Sequence, residues 1–87
     1  MTRPRFHLAI AVDDLEEARR FYGSVLGCPQ GREDRTWVDW DLYGHQLVTH
    51  LAPAERRGDV AANAVDDHDV PVPHFGVVLE VEQFHRL

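Results

Sequence analysis

The chain has 87 residues, and its 9 arginines, without a lysine, against 15 aspartates and glutamates give a formal charge of −6. Hydrophobic residues make up 44% and charged residues 28%, a balance typical of a soluble globular domain and too apolar for a disordered chain. The longest apolar run, Leu8 to Val12, is far shorter than the roughly 20 residues of a membrane span. Scattered arginines on an acidic chain offer nucleic acid no basic track, and the single cysteine excludes an internal disulfide. We expect one small cytoplasmic domain that binds neither nucleic acid nor membrane.

The first predicted element is a strand from Phe6 to Val12, in which every second residue is large and apolar. Its other face is small except for one imidazole, that of His7. A helix from about Leu15 to Leu26 follows, because apolar residues recur at helical spacing. Asp13 or Asp14 can cap the start of this helix.

A β-hairpin is predicted in the middle of the chain, after a weak polar strand around Arg32 to Arg35. Residues Thr36 to Leu42 and His45 to Leu51 alternate in polarity on either side of a turn at Tyr43-Gly44. This turn pairs Leu42 with His45, Trp40 with Leu47, Val38 with Thr49, Asp41 with Gln46, Asp39 with Val48 and Trp37 with His50.

The two faces of this hairpin differ in character. One is apolar around Trp40 and belongs to the core, whereas the other is aromatic and polar and carries Trp37, Asp39, Asp41 and His50. The aromatic ring and the carboxylates can form a substrate wall that accepts hydrogen bonds or a proton. The alternative is that this is an exposed or dimer-buried sheet face.

The chain divides into residues 1–52, read as one strand–helix–three-strand module, 53–71, read as a linker loop, and 72–87. An internal repeat connects the two ends, because Pro73–Glu80 resembles Phe6–Asp13, with His74 in the place of His7. Residues 72–87 therefore indicate the first strand and the start of the helix of a second, incomplete module.

These segments resemble the vicinal-oxygen-chelate superfamily, which includes glyoxalase I, extradiol dioxygenases and bleomycin-resistance proteins. The resemblance implies an α+β fold built from βαβββ modules around a cleft. The segments that carry it are Phe6–Val12, Asp14-Leu15, Ala18–Tyr22, Val25–Gly27 and Val72–Val77.

The resemblance also implies a divalent metal ion (Fe, Mn, Ni, Zn or Co) in that cleft. The family's first-strand ligands match His7 and His74, and its last-strand position falls at or beside His50. The carboxylate ligand that the second module usually supplies has no match in this sequence. The alternative for these histidines is a structural role, with their rings satisfied by backbone carbonyls.

The resulting functional hypothesis is a metal-dependent lyase or dioxygenase that acts on a small oxygen-chelating substrate. We expect this enzyme to be a homodimer. A second hypothesis is a metal-free binding protein of the same fold, which holds an aromatic or cationic small molecule between Trp37 and the acidic residues. A third is an inactive fragment without a site.

Overall fold

The computed structural model describes residues 3–52, 62–65 and 68–87. Four strands form a mixed sheet in the order β1-β4-β3-β2, in which β1 runs parallel to β4 and the other pairs are antiparallel. The predicted order of one strand, one helix and three strands is therefore present in residues 7–51. The elements are β1 His7–Val12, α1 Leu15–Ala18, β2 Gln30–Glu33, β3 Trp37–Leu42, β4 His45–Leu51, β5 Ala62–Val65, β6 His68–Pro71 and α2 Val81–His85.

The predicted helix is present, but its second half is wound more widely. Asp14 caps α1, because its Oδ1 accepts hydrogen bonds from two backbone N–H groups of the first turn, at 2.8 and 3.2 Å. From Arg19–Val25 the backbone is π-helical. The N–H of Leu26 accordingly donates to the carbonyl of Phe21, five residues earlier, at 2.9 Å.

The hairpin of β3 and β4 has the predicted register in all of its pairs, from Leu42 with His45 to Trp37 with His50. Its two-residue turn places both Tyr43 and Gly44 at positive φ, 52° and 88°. Positive φ at both positions is what a type I′ turn requires, and this turn matches the twist of the strands that it joins.

The core lies between the helix and one face of the sheet. Two consecutive buried hydrogen bonds cross the core: the Trp40 indole N–H donates to Thr49 Oγ1 at 3.2 Å, and that hydroxyl donates to the Val38 carbonyl at 3.2 Å. Tyr22 from the helix packs against Trp40, with ring centroids 6.1 Å apart. The buried cluster is Cys28, Val38, Trp40 and Leu47, with Leu8, Ile10, Leu15, Tyr22, Leu26 and Leu42 packed around it.

The C-terminal part differs in detail from the expectation. A short antiparallel hairpin, β5 with β6, lies within the segment read as a linker. The sequence predicts a strand over residues 72–81 and a helix from Glu82. In the structure residues 72–80 have no ladder partner among the described residues, and α2 begins at Val81. Alternating polarity in the sequence indicates which face a residue would take, but a strand also needs a neighbouring backbone. Within the described ranges no helix is long and apolar enough to cross a membrane.

Candidate functional site

The polar-aromatic face predicted for the hairpin extends across β1 in the structure. Directly paired residues of neighbouring strands point to the same face of a sheet, so the registers of β1 with β4 and of β4 with β3 define three rows of side chains. Adjacent strands are about 4.8 Å apart, and one row lies about 6.7 Å from the next along a strand. The rows are His7–Gln46–Asp41, Ala9–Val48–Asp39 and Ala11–His50–Trp37.

The first row contains a fixed imidazole. His7 Nδ1 lies 2.9 Å from Gln46 Oε1. An amide oxygen only accepts hydrogen bonds, so with the Gln46 amide in this orientation Nδ1 is the donor, and a neutral ring would present an unprotonated Nε2. This is how a metal-binding histidine is commonly oriented, with the second nitrogen donating to an oxygen. At the other end of the row, Asp41 Oδ1 accepts from the Gly44 N–H at 2.7 Å, which ties this carboxylate to the turn.

The middle row is narrow and largely withdrawn from water. Ala9 occupies little space, and Val48 and Asp39 are buried. The Asp39 side chain is only 12% exposed, and its Oδ2 forms a long ion pair with Arg32 Nε at 3.5 Å. Gly31, on β2, lies against it, because a Cβ at this glycine would stand 3.3 Å from Asp39 Cβ.

The third row combines an exposed imidazole, His50, with the half-buried ring of Trp37. The Arg32 guanidinium carbon lies 5.8 Å from the centre of the Trp37 ring, within the range of a cation–π contact. His50 pairs with Ala11, and Ala11 lies four residues along β1 from His7, or about 13 Å at 3.3 Å per residue. The structure therefore places His7 and His50 on one face but in different rows.

His74 lies outside the four-stranded sheet, beside its end strand β1. With Pro73 and Phe75 it borders a cavity whose other wall includes Ala9 and Ala11. Its Nδ1 is 2.8 Å from the Pro71 carbonyl, so Nδ1 carries the proton, and Nε2 is unprotonated in the neutral ring. The repeat-related histidines thus share a tautomer, and each is oriented by a carbonyl oxygen. Their joint role as ligands, with or without His50, stays a prediction.

Two residues of this face were not singled out by the sequence. Gln46 is the direct neighbour of His7, and recognising it requires the register of β1 with β4. Arg32 contacts both Trp37 and Asp39, and its position depends on β2, which begins two residues earlier than predicted. The hairpin pairing did place Gln46 opposite Asp41, but it gave no link to β1.

Cys28 is buried, and burial, followed by the nearby carboxylate of Asp41, raises the pKa of its thiol. A thiol that stays protonated is a poor nucleophile and a poor metal ligand. Tyr22 is also affected, because burial and then the charge that Cys28 carries once it is ionised raise the pKa of Tyr22. Both side chains belong to the core and not to the polar face.

The metal prediction can be tested against the donors present. In residues 3–52, 62–65 and 68–87, no group of three or more His, Cys, Asp or Glu side chains is arranged to hold a metal ion. The first row supplies one imidazole nitrogen with the geometry of a ligand. The described part of the chain therefore fits a partial donor set, which other residues would have to complete.

A βαβββ unit with a polar sheet face of this kind defines a protein of the glyoxalase and dioxygenase fold. The model of the glyoxalase/bleomycin resistance protein/dioxygenase superfamily matches residues 6–86, and the chain belongs to this superfamily. The predicted resemblance and the α+β fold class are thereby confirmed. No curated protein matches the sequence.

A crystal structure of a glyoxalase/bleomycin resistance protein/dioxygenase from Alicyclobacillus acidocaldarius is similar, with 34% sequence identity and a TM-score of 0.67. The similarity covers 95% of this chain and 56% of that one. The chain thus spans little more than half the length of this neighbour.

Proposed function

We propose that the chain forms one wall of a divalent-metal enzyme, a lyase or dioxygenase acting on a small substrate with two neighbouring oxygens. The observation that carries the proposal is the His7–Gln46 pair, since a proton held at Nδ1 leaves Nε2 able to bind a cation. A divalent ion there would act as a Lewis acid toward the substrate oxygens. The default compartment for this protein is the cytoplasm.

The residues of the chain would have separate tasks in this enzyme. Gln46 fixes the orientation and tautomer of the His7 ring, and the small side chains of Ala9 and Ala11 leave space beside it. Asp39, withdrawn from water, would accept a hydrogen bond or a proton from bound substrate. His74, with the same tautomer as His7, would be a further ligand from the second repeat.

The remaining donors are proposed to come from a second βαβββ unit, which a homodimer of this chain would supply. Exposed apolar side chains support this idea, because such surfaces favour association with another chain; among them are Phe6, Val81 and Phe84. Sedimentation velocity at micromolar concentration tests it. A folded monomer over the whole concentration range would contradict the dimer.

Metal content is the direct test of the proposed function. We expect the purified chain to contain stoichiometric Fe, Mn, Ni, Zn or Co by inductively coupled plasma mass spectrometry. His7→Ala should lose that metal, and His74→Ala should lose it if the second repeat contributes a ligand. His85→Ala, in the exposed last turn of α2, is the matched control and should retain it. Equal metal content in wild type and His7→Ala would refute the proposal.

A second candidate function is metal-free binding of a small molecule. It is favoured by the incomplete donor set of the described ranges and by the ring of Trp37 beside the carboxylate of Asp39. Protein that contains no metal, and whose ligand binding is lost in Trp37→Ala, would support this alternative over the enzyme.

A further inference from the structure

Arg32 lies across the part of the candidate site that is best suited to hold a cation. Its guanidinium carbon is 5.8 Å from the centre of the Trp37 ring, and its Nε is 3.5 Å from Asp39 Oδ2. Trp37 and Asp39 are two residues apart on β3, so their side chains point to the same face. One guanidinium group therefore contacts an aromatic surface and a carboxylate at once.

The three side chains are held very differently. Asp39 and Trp37 belong to β3, which is paired on both sides, and the Asp39 side chain is only 12% exposed. The Arg32 side chain is 82% exposed, and its ion pair is at the long end of hydrogen-bond distances. An exposed arginine with such a contact gains little free energy from it. The carboxylate and the ring are thus a fixed receptor, and the arginine is a replaceable occupant.

We propose that Trp37 and Asp39 form a subsite for a planar organic cation, a guanidinium or amidinium group, and that Arg32 occupies this subsite in the free protein. A planar cation can stack on the indole while it donates hydrogen bonds to the carboxylate, which a rounded ammonium group does less well. Arg32 and Asp39 border a hollow of about 400 Å³ that Asp41 and Gln46 also line.

The inference deepens the proposed function, because it assigns the chemical class of a group on the substrate of that same face. Asp39 lies one row along the strands and two strands across from His7, which is about 12 Å at these spacings. Trp37 lies one row further, about 16 Å from His7, so a substrate with an oxygen pair near His7 needs an extended arm to place its cationic group between Asp39 and Trp37. Arg32 then acts as a specificity residue, since a ligand must displace it to enter.

Substitution of Arg32, the proposed occupant, tests the cation subsite of Trp37 and Asp39. Wild type and Arg32→Ala are titrated with methylguanidinium chloride, without metal, while the two indole N–H signals are followed by ¹H–¹⁵N NMR. Trp40 is buried, so its signal is an internal reference, and Trp37→Leu assigns the other. Arg35→Ala removes an exposed arginine three residues away and is the matched control. Methylammonium chloride at equal concentration controls for ionic strength and simple charge.

We expect Arg32→Ala to bind methylguanidinium roughly threefold to tenfold more tightly than wild type, because the probe no longer competes with a tethered guanidinium. The Trp37 signal should shift, Arg35→Ala should behave as wild type, and Asp39→Asn in the Arg32→Ala background should weaken binding. The inference is wrong if Trp37 does not respond in Arg32→Ala, if both arginine variants bind like wild type, or if methylammonium has the same effect. Loss of metal in His7→Ala would not change this readout, so the subsite and the metal proposal can fail independently.

Discussion

Replacement of Thr49 by valine tests the two buried hydrogen bonds that the Thr49 hydroxyl makes between β3 and β4. Thr49 has no exposed surface, and its hydroxyl both accepts from the Trp40 indole N–H and donates to the Val38 carbonyl. Valine has nearly the same shape and suits a strand, so the substitution removes two hydrogen bonds without opening a cavity. The indole N–H, on a side chain that is 3% exposed, would then be left buried without its partner.

An unsatisfied buried donor costs about 1–3 kcal/mol, and we expect the free energy of unfolding of Thr49→Val to fall by that amount. Urea denaturation followed by tryptophan fluorescence measures it, with near-UV circular dichroism to confirm that Trp40 stays packed. Thr36→Val, at an exposed position just before β3, is the control and should be close to wild type. A Thr49→Val protein within about 0.5 kcal/mol of wild type, the usual range of surface substitutions, would refute the reasoning.

Three further predictions concern the helix start, the hairpin turn and alkaline stability. Asp14→Ala should lower the free energy of unfolding by about 1 kcal/mol, whereas Asp14→Asn, which can still cap, should not; equal urea midpoints for the two would contradict the capping role. Gly44→Ala, at a φ of 88°, should cost about 1–3 kcal/mol in the same assay, and a neutral effect would mean that the turn tolerates a side chain there. Burial raises the pKa values of Cys28 and Tyr22 above their ordinary 9.0 and 10.0, so the folded state holds these protons more tightly than the unfolded state. Their contribution to stability is complete below about pH 9 and is lost as the pH rises through the folded-state pKa values. Urea midpoints should therefore fall from about pH 9 upward, and midpoints that stay constant to pH 11 would contradict this prediction.

The hairpin was predictable from the sequence down to its register. Alternation assigns each residue to a face, and a two-residue turn leaves a single pairing of Trp37–Leu42 with His45–Leu51 that keeps both faces consistent. The wall of Trp37, Asp39 and Asp41 on one face of the sheet followed from the same pairing. The positive φ of Tyr43 was not predictable, because tyrosine has no preference for that conformation.

The neighbour of His7 was not predictable in the same way. β1 and β4 are separated by a helix and a hairpin, and a parallel pairing across such a connection has no turn to fix its register. The family resemblance indicated a last-strand position at or beside His50, whereas the observed register brings Gln46 against His7. The π-helical winding after Ala18 also left no trace in the apolar spacing, which reads equally well as an ordinary helix.

Gly31 has no side chain where β2 lies against the Cβ of the buried Asp39. Any side chain at position 31 would press against Asp39, since even a methyl group there would sit 3.3 Å from its Cβ. The absence of a side chain at this one position therefore lets β2 approach Asp39 closely, and a larger residue there would force the Asp39 side chain or the strand to shift.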